Sequence, residues 1–189
     1  MIKKRFLVPL VIGLSVLVLF CVDKIYFHDR VPFLCPIQFN TNVIPIRYDS
    51  FGDGHFGAKR ENGRLHRGLD ILAPVGTPVR AAKNGWAVTD EHPYGYGKLV
   101  KIAHSGSLTT VYAHLEEVSP VRRPAFPIVE WKKKPSNGVN LRWVKKVRQG
   151  DIIGTVGKSG NADHRLIKPH LHFEVRKRGV PQDPMRYLK

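Results

Sequence analysis

Five side chains in this sequence are of the types that bind metal ions and move protons: His66, Asp70, His114, His170 and His172. Imidazole nitrogens and carboxylate oxygens bind Zn²⁺ at about 2.0–2.2 Å, and a catalytic zinc site keeps one position for water. Two imidazoles and one carboxylate would leave the ion positively charged, so it would acidify that water and polarise a carbonyl oxygen. A further imidazole, with an unperturbed pKa of about 6.5, is suited to accept the proton of the water. These residue types favour metal-assisted hydrolysis.

The spacing of these residues indicates how the chain brings them together. His66 precedes Asp70 by four residues, and the glycine between them favours a loop leading into a strand over a helix. Side chains of a strand alternate with a period of two, so His170, His172 and Glu174 would share one face. The two apolar residues between them would point to the other face. Each pattern alone is a weak signal, but the combination is much stronger.

Short alternating runs between glycine turns dominate the chain from about residue 46 to residue 187. The alternation of Leu99–Ala103 and of Thr109–Ala113, with a polar segment between them, predicts a β-hairpin. No amphipathic helical pattern of useful length is present, and 17 glycines and 14 prolines suit a turn-rich, mainly β domain. Further strands are predicted at Pro78–Ala82, Trp86–Thr89, Asp151–Val156 and Leu171–Val175.

The N-terminus has the pattern of a membrane signal. Three basic residues at positions 3–5 precede an apolar run from Phe6 to about Val22. At roughly 17 residues this run is short for a bilayer span but longer than a typical signal-peptide core. No small-x-small cleavage site follows it, and the bulky residue before Cys21 argues against lipoprotein processing. We therefore expect an uncleaved signal anchor that exports the residues beyond about 25, with a cleaved signal peptide as the alternative.

Composition excludes some classes of protein and concentrates charge in one segment. A hydrophobic content of 42% and a charged content of 24% exclude disordered and collagen-like chains. The two cysteines, Cys21 and Cys35, form no C-x-x-C pair, and no disulfide framework is expected. The formal net charge is +16, and residues 120–150 contribute nine Lys or Arg against one Glu, which is half of that excess. We therefore expect a local binding surface in this segment.

The basic segment limits the choice of partners. Charge of this sign attracts nucleic acid, acidic lipid or acidic wall polymers, and Trp131 and Trp143 lie beside cations, where they could stack on bases. The N-terminal signal, however, puts the domain outside the cytoplasm, so no nucleic acid is expected. Residues 121–148 would instead contact an anionic wall polymer or lipid headgroups, and the alternative is a solvated loop.

Several blocks, separated along the chain, together carry a family resemblance. They are His66–Asp70, Gly68–Pro74, Gly76–Val79, Ala81–Gly85, Gly95–Gly97, Tyr112–Leu115, Gly150–Gly154, Ser159–Asn161 and His170–Glu174. In this order and these surroundings, over roughly residues 46–180, they resemble the lysostaphin-type, LytM-like zinc endopeptidases of peptidoglycan. Residues 120–150 and 161–169 are longer than the corresponding links of that family and flank the expected groove.

The resemblance implies an antiparallel β-sheet core with an open substrate groove, and cleavage of peptide cross-links in peptidoglycan. By the same resemblance, His66, Asp70 and His172 would hold one zinc ion per chain. His114 and His170 would be the catalytic pair. One would act as the general base and the other would stabilise the transition state, an assignment that the sequence leaves open.

Together these inferences divide the chain into a signal anchor at residues 1–24, a linker or wrapping arm at 25–45, and a metallopeptidase domain at 46–189 with a basic insertion at about 120–150. The expected function is that of a membrane-anchored zinc endopeptidase that remodels the cell wall, with its domain on the periplasmic or extracellular side. The alternative is a catalytically silent relative that activates a cell-wall amidase. Silent relatives typically lose zinc ligands, and the three intact positions favour the enzyme.

Overall fold

The strands follow the alternating runs of the sequence. The computed structural model describes residues 32–60, 63–119 and 144–188. Within these ranges two short strands pair as a hairpin and nine more form an antiparallel sheet, which confirms the mainly β, antiparallel fold. The strands are β1 (Tyr48–Asp49), β2 (Gly52–Asp53), β3 (Leu69–Leu72), β4 (Pro78–Arg80), β5 (Gly85–His92), β6 (Gly97–Ala103), β7 (Leu108–Val118), β8 (Val144–Val147), β9 (Ile152–Val156), β10 (His170–Lys177) and β11 (Val180–Gln182).

The strand order brings distant segments of the chain side by side. Six strands follow one another in the order β11-β10-β7-β6-β5-β8, and every neighbouring pair is antiparallel. In addition, β3 pairs with the first half of β10, and β9 pairs with both β4 and β7. The strand β10 therefore lies between β3 and β7, and these three strands carry most of the predicted site.

The two faces of β10 differ in chemistry because side chains alternate along a strand. Phe173 is fully buried, and its ring lies 5.2 Å from the ring of Tyr112 in the main core. Burying a side chain of this size stabilises the fold by about 1.5–3 kcal/mol. The residues that alternate with it point to the opposite face, so the strand presents His170, His172 and Glu174 together, as the alternation predicted.

Residues 33–47 lie along the domain and contribute to its core. Phe33 and Ile37 are buried, and backbone hydrogen bonds join the segment to β3 and β4. In the last of these bonds, the Arg47 amide donates to the Asp70 carbonyl oxygen at 2.9 Å. This path brings the Arg47 side chain against the strand that carries Asp70.

The strand β8 lies within the range assigned to the basic insertion. No strand was predicted there, yet residues 144–147 pair with β5 at one edge of the sheet. Residues 120–143 of the insertion lie outside the described residues, as does the signal anchor predicted at residues 1–24. Among the described residues, no helix has the length and apolar character needed to cross a membrane.

Candidate metal and catalytic site

Three donor atoms meet where β3 runs beside β10. The strand register pairs Asp70 with His172, and the loop before β3 brings His66 to the same point. Asp70 Oδ1 lies 3.0 Å from His66 Nε2 and 2.8 Å from His172 Nδ1, and the two nitrogens are 3.0 Å apart. All three side chains are buried. The fold thus brings together the three residues that the resemblance assigns to zinc.

Gly68 allows the loop before β3 to pass close to β10. A Cβ atom at this position would stand 2.6 Å from the carbonyl oxygen of Phe173 and 2.9 Å from the His172 ring. Packed atoms do not approach this closely, so a larger residue would push the loop away from the strand. The four-residue spacing of His66 and Asp70 is therefore that of a loop entering a strand, as predicted.

Hydrogen bonds fix a proton on the far side of both imidazoles. His66 Nδ1 donates to the carbonyl oxygen of His55 at 2.9 Å, so its Nε2 is available to a metal. His172 Nε2 donates to Glu174 Oε1 at 3.1 Å, which leaves Nδ1 for the shared point. Such outer partners are what orient metal-binding histidines. The separations of 2.8–3.0 Å are close to the roughly 3.4 Å between ligands of a tetrahedral zinc ion, so the donor set fits zinc.

Glu174 anchors His172 from the side opposite Nδ1. Its Oε1 also accepts from the Tyr96 hydroxyl at 2.7 Å, and its Oε2 accepts from Arg176 Nε at 2.6 Å. Burial raises the pKa of Glu174, but hydrogen bonds from His172 and Arg176 outweigh it and lower the pKa to about 2. Burial lowers the pKa of His172, but its hydrogen bonds to Asp70 and Glu174 outweigh it and raise the pKa to about 9. Without a metal, His172 Nδ1 therefore carries a proton toward Asp70.

The outer oxygen of Asp70 is held by two arginines. Arg47 donates to Oδ2 from Nε at 3.3 Å and from Nη2 at 3.1 Å, and Arg60 donates from Nη2 at 3.2 Å. Burial raises the pKa of Asp70, but hydrogen bonds from His172 and His66, with the charges around them, hold it well below its usual range. Asp70 is therefore a carboxylate, and its Oδ1 is the oxygen that faces the histidines.

His114 reaches the site through an irregularity in β7. Its neighbours Ala113 and Leu115 are fully buried, and its own φ of 61° lies in the left-handed region that residues other than glycine rarely adopt. The pairing of β7 with β6 shifts register at this point, and such a bulge re-aims a side chain. The His114 ring lies 5.1 Å from the ring of His170 and 5.8 Å from that of His172.

His114 and His170 both present their Nε2 nitrogen to the site. Nδ1 of His114 donates to the carbonyl oxygen of Ser159 at 2.9 Å, and Nδ1 of His170 donates to that of Lys168 at 2.7 Å. His170 Nε2 lies 3.9 Å from Asp70 Oδ1. Burial lowers the pKa of both rings; for His114, burial and the charges of the neighbouring histidines lower it to about 3. Both imidazoles are neutral near pH 7 and accept a proton at Nε2.

The β1–β2 hairpin and the loop before β10 contact each other beside these residues. The Phe51 ring lies 4.7 Å from the His164 ring, and the Lys168 amide donates to Asp49 Oδ2 at 3.3 Å. Phe51 and Leu166 are 42% and 57% exposed. The loop at residues 161–169, which the sequence showed to be long, therefore offers apolar surface next to the site.

The structure gathers all five predicted residues and adds neighbours that the sequence did not signal. The alternation along β10 had already put Glu174 on the face of His172. Tyr96, Arg47 and Arg60 were not identified, because each meets the site only through tertiary contacts. The only sequence signal for the arginines is that a buried carboxylate needs a cationic partner. This signal does not indicate which arginine supplies the charge.

A family model and several known proteins match parts of this chain. The model of peptidase family M23 matches residues 64–125 and 136–184. The DD-carboxypeptidase/endopeptidase Mpg of Neisseria meningitidis serogroup B is 36% identical over 122 residues, 65% of this chain and 22% of Mpg. The peptidoglycan DD-endopeptidase ShyC of Vibrio cholerae is 32% identical over 121 residues, 64% of this chain and 22% of ShyC. The chain thus aligns with about a fifth of the length of these relatives.

A solved structure shares the fold. A zinc-containing peptidase from Vibrio cholerae is 27% identical, with a TM-score of 0.56, and the match covers 82% of this chain and 40% of that one. The two ranges of the family model cover more than half of this chain and include all five predicted site residues. This chain belongs to peptidase family M23.

Proposed function

We propose that this protein is a zinc-dependent endopeptidase that hydrolyses peptide cross-links of bacterial peptidoglycan. One observation carries the proposal: Asp70 Oδ1, His66 Nε2 and His172 Nδ1 converge within 3.0 Å of one another. The neutral imidazoles of His114 and His170 adjoin this point. Membership of family M23 and the similarity to ShyC, a peptidoglycan DD-endopeptidase, support peptidoglycan as the substrate.

The residues divide the chemistry between a metal set and a proton-handling pair. His66, Asp70 and His172 would hold zinc, which when bound would supply a Lewis acid for the scissile carbonyl and lower the pKa of a water. The ring that acts as base would accept the proton of the water at Nε2, because its Nδ1 already donates to a backbone carbonyl oxygen. It would return that proton to the leaving amine, and the second ring would stabilise the charge that develops on the substrate.

A catalytically silent activator of a cell-wall amidase is the second candidate that the sequence raised. A silent protein has no need of a complete donor set supported by buried hydrogen bonds. Here all three donors are present, and His66 and His172 both have their far nitrogen bonded to an acceptor. These contacts favour the enzyme.

Zinc content and digestion products test the proposal. Purified residues 30–189 should bind one zinc ion per chain and digest peptidoglycan sacculi, and mass spectrometry of the released muropeptides should identify a peptide bond as the one cut. His172→Ala should lose both zinc and turnover, because it removes one of three donors. A folded wild-type domain that takes up no zinc would contradict the proposal. A zinc-loaded domain that leaves sacculi intact but stimulates an added amidase would favour the silent role.

We also propose that residues 1–24 anchor the protein in the cell membrane with its domain on the periplasmic or extracellular side. Three positive charges before an apolar run of roughly 17 residues support this orientation. The full chain should stay in the membrane fraction after carbonate extraction, and protease added from outside the membrane should degrade the domain. Release of an N-terminally shortened protein would support the cleaved form instead.

The basic residues of the segment 121–148 are proposed to contact an anionic wall polymer or lipid headgroups. Electrostatic contacts of this kind weaken as salt increases. Deleting residues 121–141, or replacing their Lys and Arg by Gln at constant length, should therefore reduce both the binding to sacculi and its dependence on salt. Binding that is unchanged at every salt concentration would remove this role.

A further inference from the structure

We propose that Arg47 and Arg60 are positioning residues that make Asp70 a one-oxygen ligand of the metal. This inference rests on the metal site proposed above and assigns a role to two residues outside it. Both arginines bind Oδ2 of Asp70, whereas Oδ1 faces His66 and His172. The two oxygens of one carboxylate are therefore given to different partners.

Arg47 is committed to this carboxylate in a buried setting. Only 4% of the residue is exposed, and its Nε and Nη2 form a fork on Asp70 Oδ2. Its remaining terminal nitrogen, Nη1, donates to Asp49 Oδ1 at 2.6 Å. Two N–H groups of one planar guanidinium that donate to the same carboxylate oxygen hold that oxygen in place. Arg47 thus sets the rotation of the Asp70 side chain.

Arg60 approaches the same oxygen from a different segment. Its Nη2 donates to Asp70 Oδ2 at 3.2 Å and its Nη1 donates to the Asp53 carbonyl oxygen at 2.9 Å. The Arg60 side chain is 22% exposed, so its removal opens less of the core than removal of Arg47. Gly54 keeps the backbone close here, since a Cβ atom on it would stand 2.8 Å from Asp70 Cβ.

Together the two arginines determine which oxygen of Asp70 remains available to a metal. A carboxylate has about four lone-pair sites, and three N–H donors from the two arginines are directed at Oδ2. A metal that bound both oxygens would have to displace these donors. The arrangement therefore leaves Oδ1 as the single oxygen that faces His66 and His172, at 3.0 and 2.8 Å from their nitrogens.

Zinc affinity and the spectrum of a substituted metal test this role. In the purified full chain, Arg60→Met should weaken zinc binding by about 10–100-fold, as loss of an outer partner of a metal ligand usually does. Titration against a chromogenic chelator measures this. The visible absorption of the Co²⁺-loaded protein should also change in Arg60→Met, because the coordination of Asp70 changes.

The matched control is Arg80→Met. Arg80 is also a partly buried arginine, and it donates from Nη1 to a backbone carbonyl oxygen, that of Gly150, at 2.9 Å. Its loss should lower the free energy of unfolding but leave zinc affinity and the Co²⁺ spectrum unchanged. If Arg60→Met behaved like this control, Arg60 would only brace the backbone, and the inference would be wrong.

A measurement on the wild-type chain tests the inference without any variant. A crystal structure of the zinc-loaded protein should show Asp70 bound through Oδ1 alone, with both arginines on Oδ2. Zinc bound by both oxygens would overturn the inference and leave the proposed endopeptidase intact. A wild-type chain that binds no zinc would instead refute the proposed function on which the inference depends.

Discussion

The strands β10 and β7 both supply histidines to one site, but they do so in opposite ways. β10 is regular, and its period of two puts His170, His172 and Glu174 on one face while the residues between them enter the core. β7 is interrupted at His114, whose φ of 61° and shifted register turn the ring toward the other histidines. One strand positions its side chains by following its pattern, and the other does so by breaking it.

This difference indicates where the site stores strain. A regular strand holds its side chains without backbone cost, whereas a left-handed residue other than glycine costs of the order of 1–2 kcal/mol. Such outliers persist where the surrounding structure enforces them, and they cluster at functional sites. The Ser159 carbonyl oxygen, which accepts from His114 Nδ1, is one of the contacts that hold this conformation.

The largest expected effect is on turnover, and it should be similar for the histidine of each strand. His170→Ala and His114→Ala should each lower kcat on purified muropeptides by about 10²–10⁴-fold, which is the usual contribution of a positioned acid or base. Both variants should keep zinc, because neither ring belongs to the proposed metal set. Zinc content by atomic absorption and kcat by chromatographic assay measure the two quantities separately.

These two variants also distinguish the roles of the pair. The ring that acts as general base should be the one whose loss removes the acid limb of the pH profile of kcat/KM. If either alanine variant lost zinc together with activity, that histidine would belong to the metal set, and the division proposed here would fail.

The next effect concerns the support that β10 gives to His172, the metal ligand that we propose on this strand. Glu174→Gln should weaken zinc binding by about 10–100-fold, because it removes the negative charge that accepts the hydrogen bond of His172 Nε2 and leaves Arg176 without its carboxylate partner. Glu116→Gln on β7 is the matched control, since Glu116 is exposed. Chelator competition measures both, and equal affinities of the two variants would show that the buried carboxylate does not support the metal.

Zinc binding should also depend on pH. The pKa of His172 is raised to about 9 in the metal-free site, so below pH 9 zinc must displace a proton from this ring. Raising the pH removes the competing proton, and apparent affinity should rise about tenfold per pH unit between pH 7 and pH 8.5. The slope should be smaller in Glu174→Gln, because the pKa of His172 falls without that charge. An affinity independent of pH in the wild type would contradict the raised pKa.

The fold was predictable where one face of a strand is buried and the other is not. Alternation marked Leu99–Ala103 and Thr109–Ala113, and these became β6 and β7. The sequence Val-Lys-Lys-Val of β8 carries no period of two, and it forms a strand because β5 offers it an edge. A local pattern of apolar and polar residues indicates which face of a strand is buried. A strand that forms mainly because a neighbouring strand offers hydrogen bonds therefore has no recognisable pattern in the sequence.

The site was predictable in its residue types and only partly in its geometry. His172 and Glu174 followed from the strand period, and their contact is present at 3.1 Å. The arginines of Asp70 lie 23 and 10 residues from it in sequence, and no local rule links residues at such separations. Strict alternation along β7 would have pointed His114 into the core, on the face opposite Ala113. Its actual direction depends on a bulge, and no residue of this run indicates a bulge.

The smallest expected effect tests the strain at His114 directly. Glycine adopts a positive φ without cost, whereas alanine at such a position destabilises by more than about 0.4–1 kcal/mol. His114→Gly should therefore unfold at a higher urea concentration than His114→Ala, although both lack the ring. Both variants should have equally low turnover, so only the free energy of unfolding separates them.

The same pair of substitutions at His170 should give the reverse order. His170 begins a regular strand and is not among the described residues with positive φ. There glycine only adds freedom to the unfolded chain, so His170→Ala should be more stable than His170→Gly by about 0.5–1 kcal/mol. Because each site compares variants that lack the same imidazole, lost hydrogen bonds cancel and the backbone term remains. Alanine being the more stable at both positions would mean that β7 is as relaxed as β10, and that the bulge aims His114 without cost.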